Sequence, residues 1–222
     1  MKKLILGAAI ALIVNAAQAV TLVDNTAVAL PGTTVAAEPQ LAGTVLEDTL
    51  TDFAIAGEGI TGHIQSRVVR SVDGTLDFYW RVFNDETSRG NIGNFRIGEF
   101  LSPEYNANWR IDGLGDVAPT SAYKFGGGLA DQGYINFQFF DAASTTGLLT
   151  PGKSSMFILL DTSATSYNES ALMDVANRDT TQISGIAYTF TPAAPVPEPS
   201  TYALMGLGLA AMGFLRRRTS RG

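Results

Sequence analysis

The sequence of 222 residues contains no cysteine and a single histidine, His63, and its formal net charge at pH 7 is −6. The lack of cysteine excludes disulfides, thiol catalysis and thiolate metal sites, and one histidine cannot build a multi-histidine zinc site. Six of the 15 basic residues lie at the chain ends, so the interval 20–215 has nine basic against 21 acidic residues, a net charge of −12. Such a surface repels phosphate backbones, which excludes nucleic acid as a partner.

The first 19 residues have the three parts of a secretory signal. Lys2 and Lys3 precede an apolar run over 4–14, and the small-residue sequence Ala17-Gln18-Ala19 follows it. The run of about 11 residues is too short for a bilayer span, which needs about 20. We therefore expect export through the Sec translocon and cleavage by signal peptidase before Val20.

Residues 20–195 are predicted to form one domain, because a chain of roughly 175 residues can bury one ordinary core without disulfides. Residues 20–44 are predicted to be an extended arm or a first irregular strand, and a two-residue alternation of apolar and polar side chains begins at Val45. One short capped helix is predicted over 168–175. About nine strands without crossover helices suggest an all-β fold, a single β-sandwich of the jelly-roll or immunoglobulin-like type.

The clearest hairpin is predicted over 64–83, around Asp73-Gly74, a pair typical of a two-residue type I′ turn. A turn of that length places Arg70 opposite Asp77, as an ion pair across the two strands. The apolar face of the second strand consists of Leu76, Phe78, Trp80 and Val82.

Later strands are predicted over 95–100, 105–111, 134–140, 156–160 and 186–190. The third and fourth of these are apolar on both faces, which places them in the middle of a sheet.

A phosphate-loop pattern, G-x-x-x-x-G-K-[ST], occurs over 147–154. A true phosphate loop lies between a parallel strand and a helix, whose N-terminal amides hold the phosphate. Because residues 156–160 are predicted to be a strand, we expect a Pro-Gly turn between antiparallel strands and no nucleotide binding. No G-x-S-x-G sequence surrounds any serine, so His63 is predicted to be a surface residue rather than part of a catalytic triad.

Asp112 and Asp116 are candidate calcium ligands, because calcium takes oxygen ligands from flexible loops. Their spacing does not match a twelve-residue calcium loop, and Asp and Gly also serve tight turns. No other cofactor and no catalytic residue is predicted.

Aromatic side chains are the candidates for glycan contact, since a flat ring packs on the apolar face of a sugar. Tyr105 and Trp109 are the main candidates, and Tyr79 and Tyr123 could belong to the same stacking surface; the alternative is that these rings belong to the core. Paired carboxylates for sugar hydrolysis stay open, because a sequence does not give the separation of two carboxyl groups.

The C-terminal segment, 196–222, has three parts in a fixed order: the tripeptide Pro197-Glu198-Pro199, an uncharged apolar run over 202–215, and the cluster Arg216, Arg217 and Arg218. As a helix the run of about 14 residues rises roughly 21 Å, so it spans a ~30 Å hydrocarbon core only with help from its flanking residues. The arginines should stay cytoplasmic, which places the preceding domain outside the inner membrane.

This segment resembles the PEP-CTERM sorting signal of Gram-negative bacteria, whose carriers are substrates of the membrane enzyme exosortase. The resemblance implies transient anchoring in the inner membrane, processing at the C-terminus and delivery to the cell surface or the medium. It also implies a structural or adhesive role in an exopolysaccharide or biofilm matrix, and we expect no catalysis. The alternatives are a carbohydrate-binding module for the matrix polysaccharide and, ranked last, a hydrolase that acts on it.

Overall fold

The regular structure is almost entirely β-strand, as predicted. The computed structural model describes residues 19–100, 105–126, 134–140, 148–178, 180, 182–193 and 205. The predicted secretory signal lies outside these residues except for Ala19, and the predicted sorting segment lies outside them except for Met205. The twelve strands are β1 (Val20–Thr21), β2 (Ala27–Ala29), β3 (Gly43–Ile55), β4 (Ile60–Ser71), β5 (Leu76–Asn84), β6 (Ile92–Gly98), β7 (Tyr105–Trp109), β8 (Ser121–Lys124), β9 (Ile135–Gln138), β10 (Ile158–Thr162), β11 (Tyr167–Asn177) and β12 (Ala187–Pro192).

The strands form two six-stranded sheets in which all neighbouring strands are antiparallel. The order is β1-β7-β10-β5-β4-β3 in the first sheet and β12-β11-β6-β9-β8-β2 in the second. Strands β9 and β10 therefore lie inside their sheets, as their apolar sequences predicted.

One hydrophobic core joins the facing sides of the two sheets. The predicted apolar face of β5 lies in it, with Leu76, Phe78, Trp80 and Val82 each at most 1% exposed. The Trp80 ring lies 6.1 Å from Phe95 of the second sheet, centroid to centroid. Its indole Nε1–H donates to Thr189 Oγ1 of β12 at 2.7 Å, which satisfies the indole inside the core.

The opposite face of the first sheet is also covered. Leu41, Val69, Tyr79, Phe157 and Leu159 form a second buried cluster there. Leu41 belongs to a short 3₁₀ helix, Pro39–Leu41, in the segment predicted to be an extended arm. The arm therefore packs over the sheet, and it buries Tyr79, which is only 4% exposed.

The predicted register of the β4–β5 hairpin is wrong by one residue. Arg70 pairs with Leu76, and Asp77 lies opposite Val69. The cause is a three-residue loop, in which Ser71 N–H donates to the Thr75 carbonyl and Gly74 takes a φ of +90°. An Asp-Gly sequence suits a two-residue type I′ turn, but it suits equally well a three-residue loop made of a type I turn and a left-handed glycine, which is the loop found here.

The predicted helix over 168–175 is wrong as well, because β11 runs through it. Strand β11 pairs with β12 on one side and β6 on the other. Ala171, Met173 and Val175 point into the core with the two-residue period of a strand. Tertiary pairing on both sides overrides the local helical tendency of this sequence.

The chain divides into two compact units, Met1–Pro192 and Ala193–Gly222, and all twelve strands belong to the first. In the second unit the structure describes only Ala193 and Met205. Across the described ranges, no helix has both the length and the apolar character needed to cross a membrane.

Candidate functional site: a polar cleft beside a buried carboxyl pair

A polar cleft of about 640 Å³ opens at one end of the first sheet. Strands β1, β7 and β10 supply three of its sides, and the β4–β5 loop and the covering arm close it. Its lining residues are Thr21, Leu22, Gln40, Asp73, Thr75, Tyr105, Asn106, Lys124, Asp161, Thr162 and Ser163. We call this feature the polar cleft.

Strand β7 presents the aromatic side of the cleft. The Tyr105 ring meets Phe100 edge to face at 5.6 Å, and the Lys124 ammonium lies 5.6 Å from the Tyr105 centroid. The next residue, Asn106, accepts a hydrogen bond from the Thr21 hydroxyl at 2.7 Å. The Tyr105 ring, the Asn106 amide and the Lys124 ammonium group thus border the same space.

Beside the cleft, two carboxyl groups meet across the β5–β10 pair, where Asp161 lies opposite Asp77. Asp77 is fully buried, and its Oδ2 accepts a hydrogen bond from the Ser71 hydroxyl. Its Oδ1 has no hydrogen-bond partner among the described residues, and the Asp161 carboxyl group is near enough to act on its ionisation. Two carboxyl groups this close to each other on paired strands favour a state with one proton between them, and burial places that proton on Asp77.

The titration of the pair follows from burial. The pKa of Asp77 is raised to about 8, mainly by burial and also by the negative charges of Asp161 and Asp73, against the hydrogen bond from Ser71. Burial also raises the pKa of Asp161, while the hydrogen bond from Asp77 lowers it. The pKa of Asp73, which lines the same cleft, is instead lowered, because its carboxylate accepts hydrogen bonds from the Thr75 hydroxyl and amide.

The cleft is suited to a ligand rich in hydroxyl groups. Asp73 and Asp161 offer acceptors, Asn106 and Gln40 offer both donors and acceptors, and Tyr105 offers an aromatic surface. Asp77 is fully buried, so no sugar ring reaches it, whereas a glycosidase needs both of its carboxyl groups open to the substrate. This pair therefore lacks the geometry of a glycosidase.

The two calcium candidates lie on one loop but are each bonded to protein donors. Asp112 accepts from Arg110 Nε at 2.6 Å and from the Val35 amide at 3.0 Å. Asp116 accepts from the Ser154 amide at 3.0 Å and from Lys153 Nζ at 3.3 Å. These hydrogen bonds lower the pKa of both carboxyl groups. Among the described residues no three His, Asp or Glu side chains come together as a metal site.

Of the glycan-contact candidates, only Tyr105 lies in the polar cleft. Trp109 is half-buried, packs on the backbone of Gly32 and donates from Nε1 to the Leu30 carbonyl at 3.2 Å. Tyr79 is buried under the arm. Tyr123 lies on β8 in the second sheet and contacts Phe125 with the rings tilted by 51°. The four rings therefore form no common flat surface.

The described residues of the phosphate-loop pattern, 148–154, form a turn, as predicted, but the regular strands on either side of it, β9 and β10, lie in different sheets rather than pairing with each other. Gly152 takes a φ of +77° and donates to the Asn84 carbonyl at 2.9 Å, and Lys153 N–H donates to the Thr150 carbonyl at 3.1 Å. The next regular element is strand β10, not a helix. His63 lies half-exposed on β4, stacked on Phe83 at 4.3 Å, which agrees with the predicted surface position.

Sequence reasoning missed the carboxyl pair. The sequence predicts an ion pair between Asp77 and Arg70, and Asp161 follows a strand that is predicted to end at 160. An aspartate inside a run of buried residues, with Leu76 before it and Phe78 after it, was the available signal, since carboxyl groups are rarely fully buried.

Comparison with known proteins matches one part of the chain. The family described as the PEP-CTERM protein-sorting motif matches residues 195–218. The match includes the tripeptide at 197–199 and the arginine cluster at 216–218, so the sorting signal predicted from the sequence is confirmed. No curated protein and no solved structure gave a significant match.

Proposed function

We propose, from the PEP-CTERM protein-sorting motif that this chain carries, that it is an exported protein that exosortase processes and delivers to the cell surface or the medium. There it has a structural or adhesive role in an exopolysaccharide matrix, without catalysis. The observation that carries the proposal is the match over 195–218. The acidic domain before it, built from two sheets around one core, fits a soluble exported cargo.

The delivered domain is, in this proposal, a β-sandwich with the winding of a jelly roll. The chain passes from the first sheet to the second between β1 and β2, β5 and β6, β7 and β8, and β10 and β11. Strands that pair in the first sheet lead into strands that pair in the second. Thus β1 pairs with β7, and the strands that follow them, β2 and β8, also pair. In the same way β5 pairs with β10, and β6 pairs with β11. Paired strands therefore cross together from one sheet to the other, and this winding favours the jelly roll over the immunoglobulin-like arrangement.

Mass spectrometry of the protein from producing cells tests the sorting proposal. With exosortase present, we expect the mature chain to lack residues 202–222. Without exosortase the same residues should be retained, and the protein should sediment with the inner membrane. Retention of the tail in cells that contain active exosortase would overturn the proposal.

Carbohydrate binding in the polar cleft is the second candidate function. The observation in its favour is that Tyr105, Asn106 and Asp161 border one open space of about 640 Å³. A ring face and several hydrogen-bonding groups around such a space fit a neutral segment of polysaccharide.

Co-sedimentation of the mature domain with insoluble exopolysaccharide tests this second function. If Gln40 and Asp161 contact sugar, Gln40→Ala and Asp161→Asn should each weaken binding about fivefold to tenfold. The control Glu169→Gln changes an exposed residue outside the cleft and should bind like the natural protein. Repeating the assay with calcium and with chelator tests Asp112 and Asp116 as ligands. Equal binding by all variants removes the cleft from consideration, and shortened polymer after incubation would instead favour the hydrolase.

A further inference from the structure

Glu38 is a buried carboxyl group that binds the backbone beside the predicted signal-cleavage point. It lies just before the 3₁₀ helix of the arm and is only 4% exposed. Its Oε1 accepts a hydrogen bond from the Ala19 amide at 2.8 Å. Cleavage before Val20 would remove Ala19 and leave this carboxyl group without its backbone donor.

Within the described part of the chain, no basic side chain forms an ion pair with Glu38. The Arg110 guanidinium acts on Glu38 through its charge but is paired with Asp112, with Nε 2.6 Å from Oδ1. The Thr33 hydroxyl lies next to Glu38, but Oε2 receives no regular hydrogen bond. Burial raises the pKa of Glu38, and the Asp161 charge raises it too, while Thr33, the Ala19 amide and Arg110 oppose them. A buried carboxylate is strongly unfavourable unless a cation or full set of donors accompanies it.

We propose that Glu38 is the binding site for the α-ammonium group of the mature N-terminus at Val20. Signal peptidase hydrolyses the Ala19–Val20 peptide bond: water gives its hydroxyl to the Ala19 carbonyl carbon and a proton to the Val20 nitrogen, which takes a second proton from solvent. The new ammonium group has three N–H donors and a positive charge. It takes the place of the Ala19 amide at Glu38.

The required movement is small. Successive residues of an extended chain are about 3.8 Å apart, so the Val20 nitrogen starts no more than about that distance from the position of the Ala19 nitrogen. Val20 is already held in β1, opposite Ala107 of β7, and Leu22 is anchored in the core. The ammonium group therefore needs only a local rotation to reach Oε1 or Oε2.

This ion pair exists only after processing, so removal of the signal adds a link between β1 and the arm. The inference depends on the proposed export, because an unprocessed chain has no ammonium group at Val20. It also gives the arm a role besides covering Tyr79, since the same segment carries Glu38 and Leu41.

The test uses the protein isolated from producing cells, whose N-terminus is first identified by mass spectrometry. The acylation rate of the Val20 α-amine is then followed against pH, in the natural protein, in Glu38→Gln and in the exposed control Glu169→Gln. An ordinary α-amine has a pKa of about 7.7–8.0, and an ion pair that raises it by about one unit makes acylation at pH 7 roughly tenfold slower. We expect the pH midpoint to be raised in the natural protein and in Glu169→Gln, and ordinary in Glu38→Gln.

Steric shielding of the Val20 amine would slow its acylation at every pH but would not move the pH midpoint, so the midpoint reports the ion pair itself. If Glu38→Gln is not recovered, the natural protein in denaturant supplies the ordinary midpoint for comparison. A Val20 N-terminus with an ordinary midpoint in the folded protein overturns the inference and leaves export intact. A chain that still begins at Met1 overturns both.

Discussion

Asp77→Asn should make the protein more stable at alkaline pH while leaving its stability at pH 5 nearly unchanged. Asp77 is fully buried, with the Ser71 hydroxyl on one side and Asp161 on the other. An asparagine in its place can still accept from Ser71 and can donate from its amide to Asp161. At pH 5, where Asp77 carries a proton, the two proteins should therefore differ by no more than about 1 kcal/mol.

The pH dependence follows from the sign of the shift. Burial raises the pKa of Asp77 from 3.8 to about 8, so the folded state holds a proton that the unfolded state releases. Its stabilising contribution is complete below the unfolded pKa and is lost as the pH rises through the folded pKa. At about 1.36 kcal/mol for each pH unit, the natural protein loses up to about 4 kcal/mol from this group between pH 5 and pH 8. The asparagine variant does not lose it.

Urea unfolding of both proteins at pH 5 and pH 8, followed by tryptophan fluorescence, measures the difference. We expect the free energy of unfolding of Asp77→Asn relative to the natural protein to rise by several kcal/mol over this interval, on the order of 2–4. Glu169→Gln, an exposed control, should show no such rise. A rise smaller than about 1 kcal/mol would refute the protonated carboxyl pair.

Three further outcomes are expected. Gly62→Ala should lower the free energy of unfolding by about 1–3 kcal/mol in urea titrations, because the new Cβ would lie 2.0 Å from the Phe83 carbonyl oxygen. The control Gly185→Ala places its Cβ in open space and should change the free energy of unfolding by no more than about 0.5 kcal/mol. Trp80→Phe removes the indole donor to Thr189 and part of the core side chain, so calorimetry should show a loss of about 2–4 kcal/mol in the free energy of unfolding. An unchanged melting temperature would contradict the placement of Trp80 in the core. Titration with ATP and magnesium should give no binding signal, and saturable binding lost in Lys153→Ala would contradict the turn assignment.

The carboxyl pair illustrates the limit of sequence reasoning for the site. The sequence assigns Asp77 to the outer face of its strand, which is correct, but not to a buried environment. That environment comes from distant parts of the chain: β10, about 80 positions later, pairs with β5 at Asp77, and the arm, more than 30 positions earlier, covers the same face of the sheet at Tyr79. One extra residue in the β4–β5 loop also separates Asp77 from the arginine that was expected to neutralise it.

The helix predicted over 168–175 failed for a related reason. Its residues favour a helix when considered alone, but β6 and β12 offer backbone partners on both sides, and the side chains of Ala171, Met173 and Val175 then reach the core. In the middle of a sheet, these contacts outweigh a propensity difference of a few tenths of a kcal/mol per residue.

The sequence by itself determined the features that depend on local order along the chain. These are the sorting motif over 195–218, the all-β class, the inward face of β5 and the turn in the phosphate-loop pattern. Tertiary structure alone decided the hairpin register, the sheet order, the burial of Asp77 and Glu38, and the meeting of Tyr105, Asn106 and Asp161 at one cleft. The physical reason is that alternation specifies which way a side chain points, whereas burial and proximity depend on which distant strand or arm packs over it.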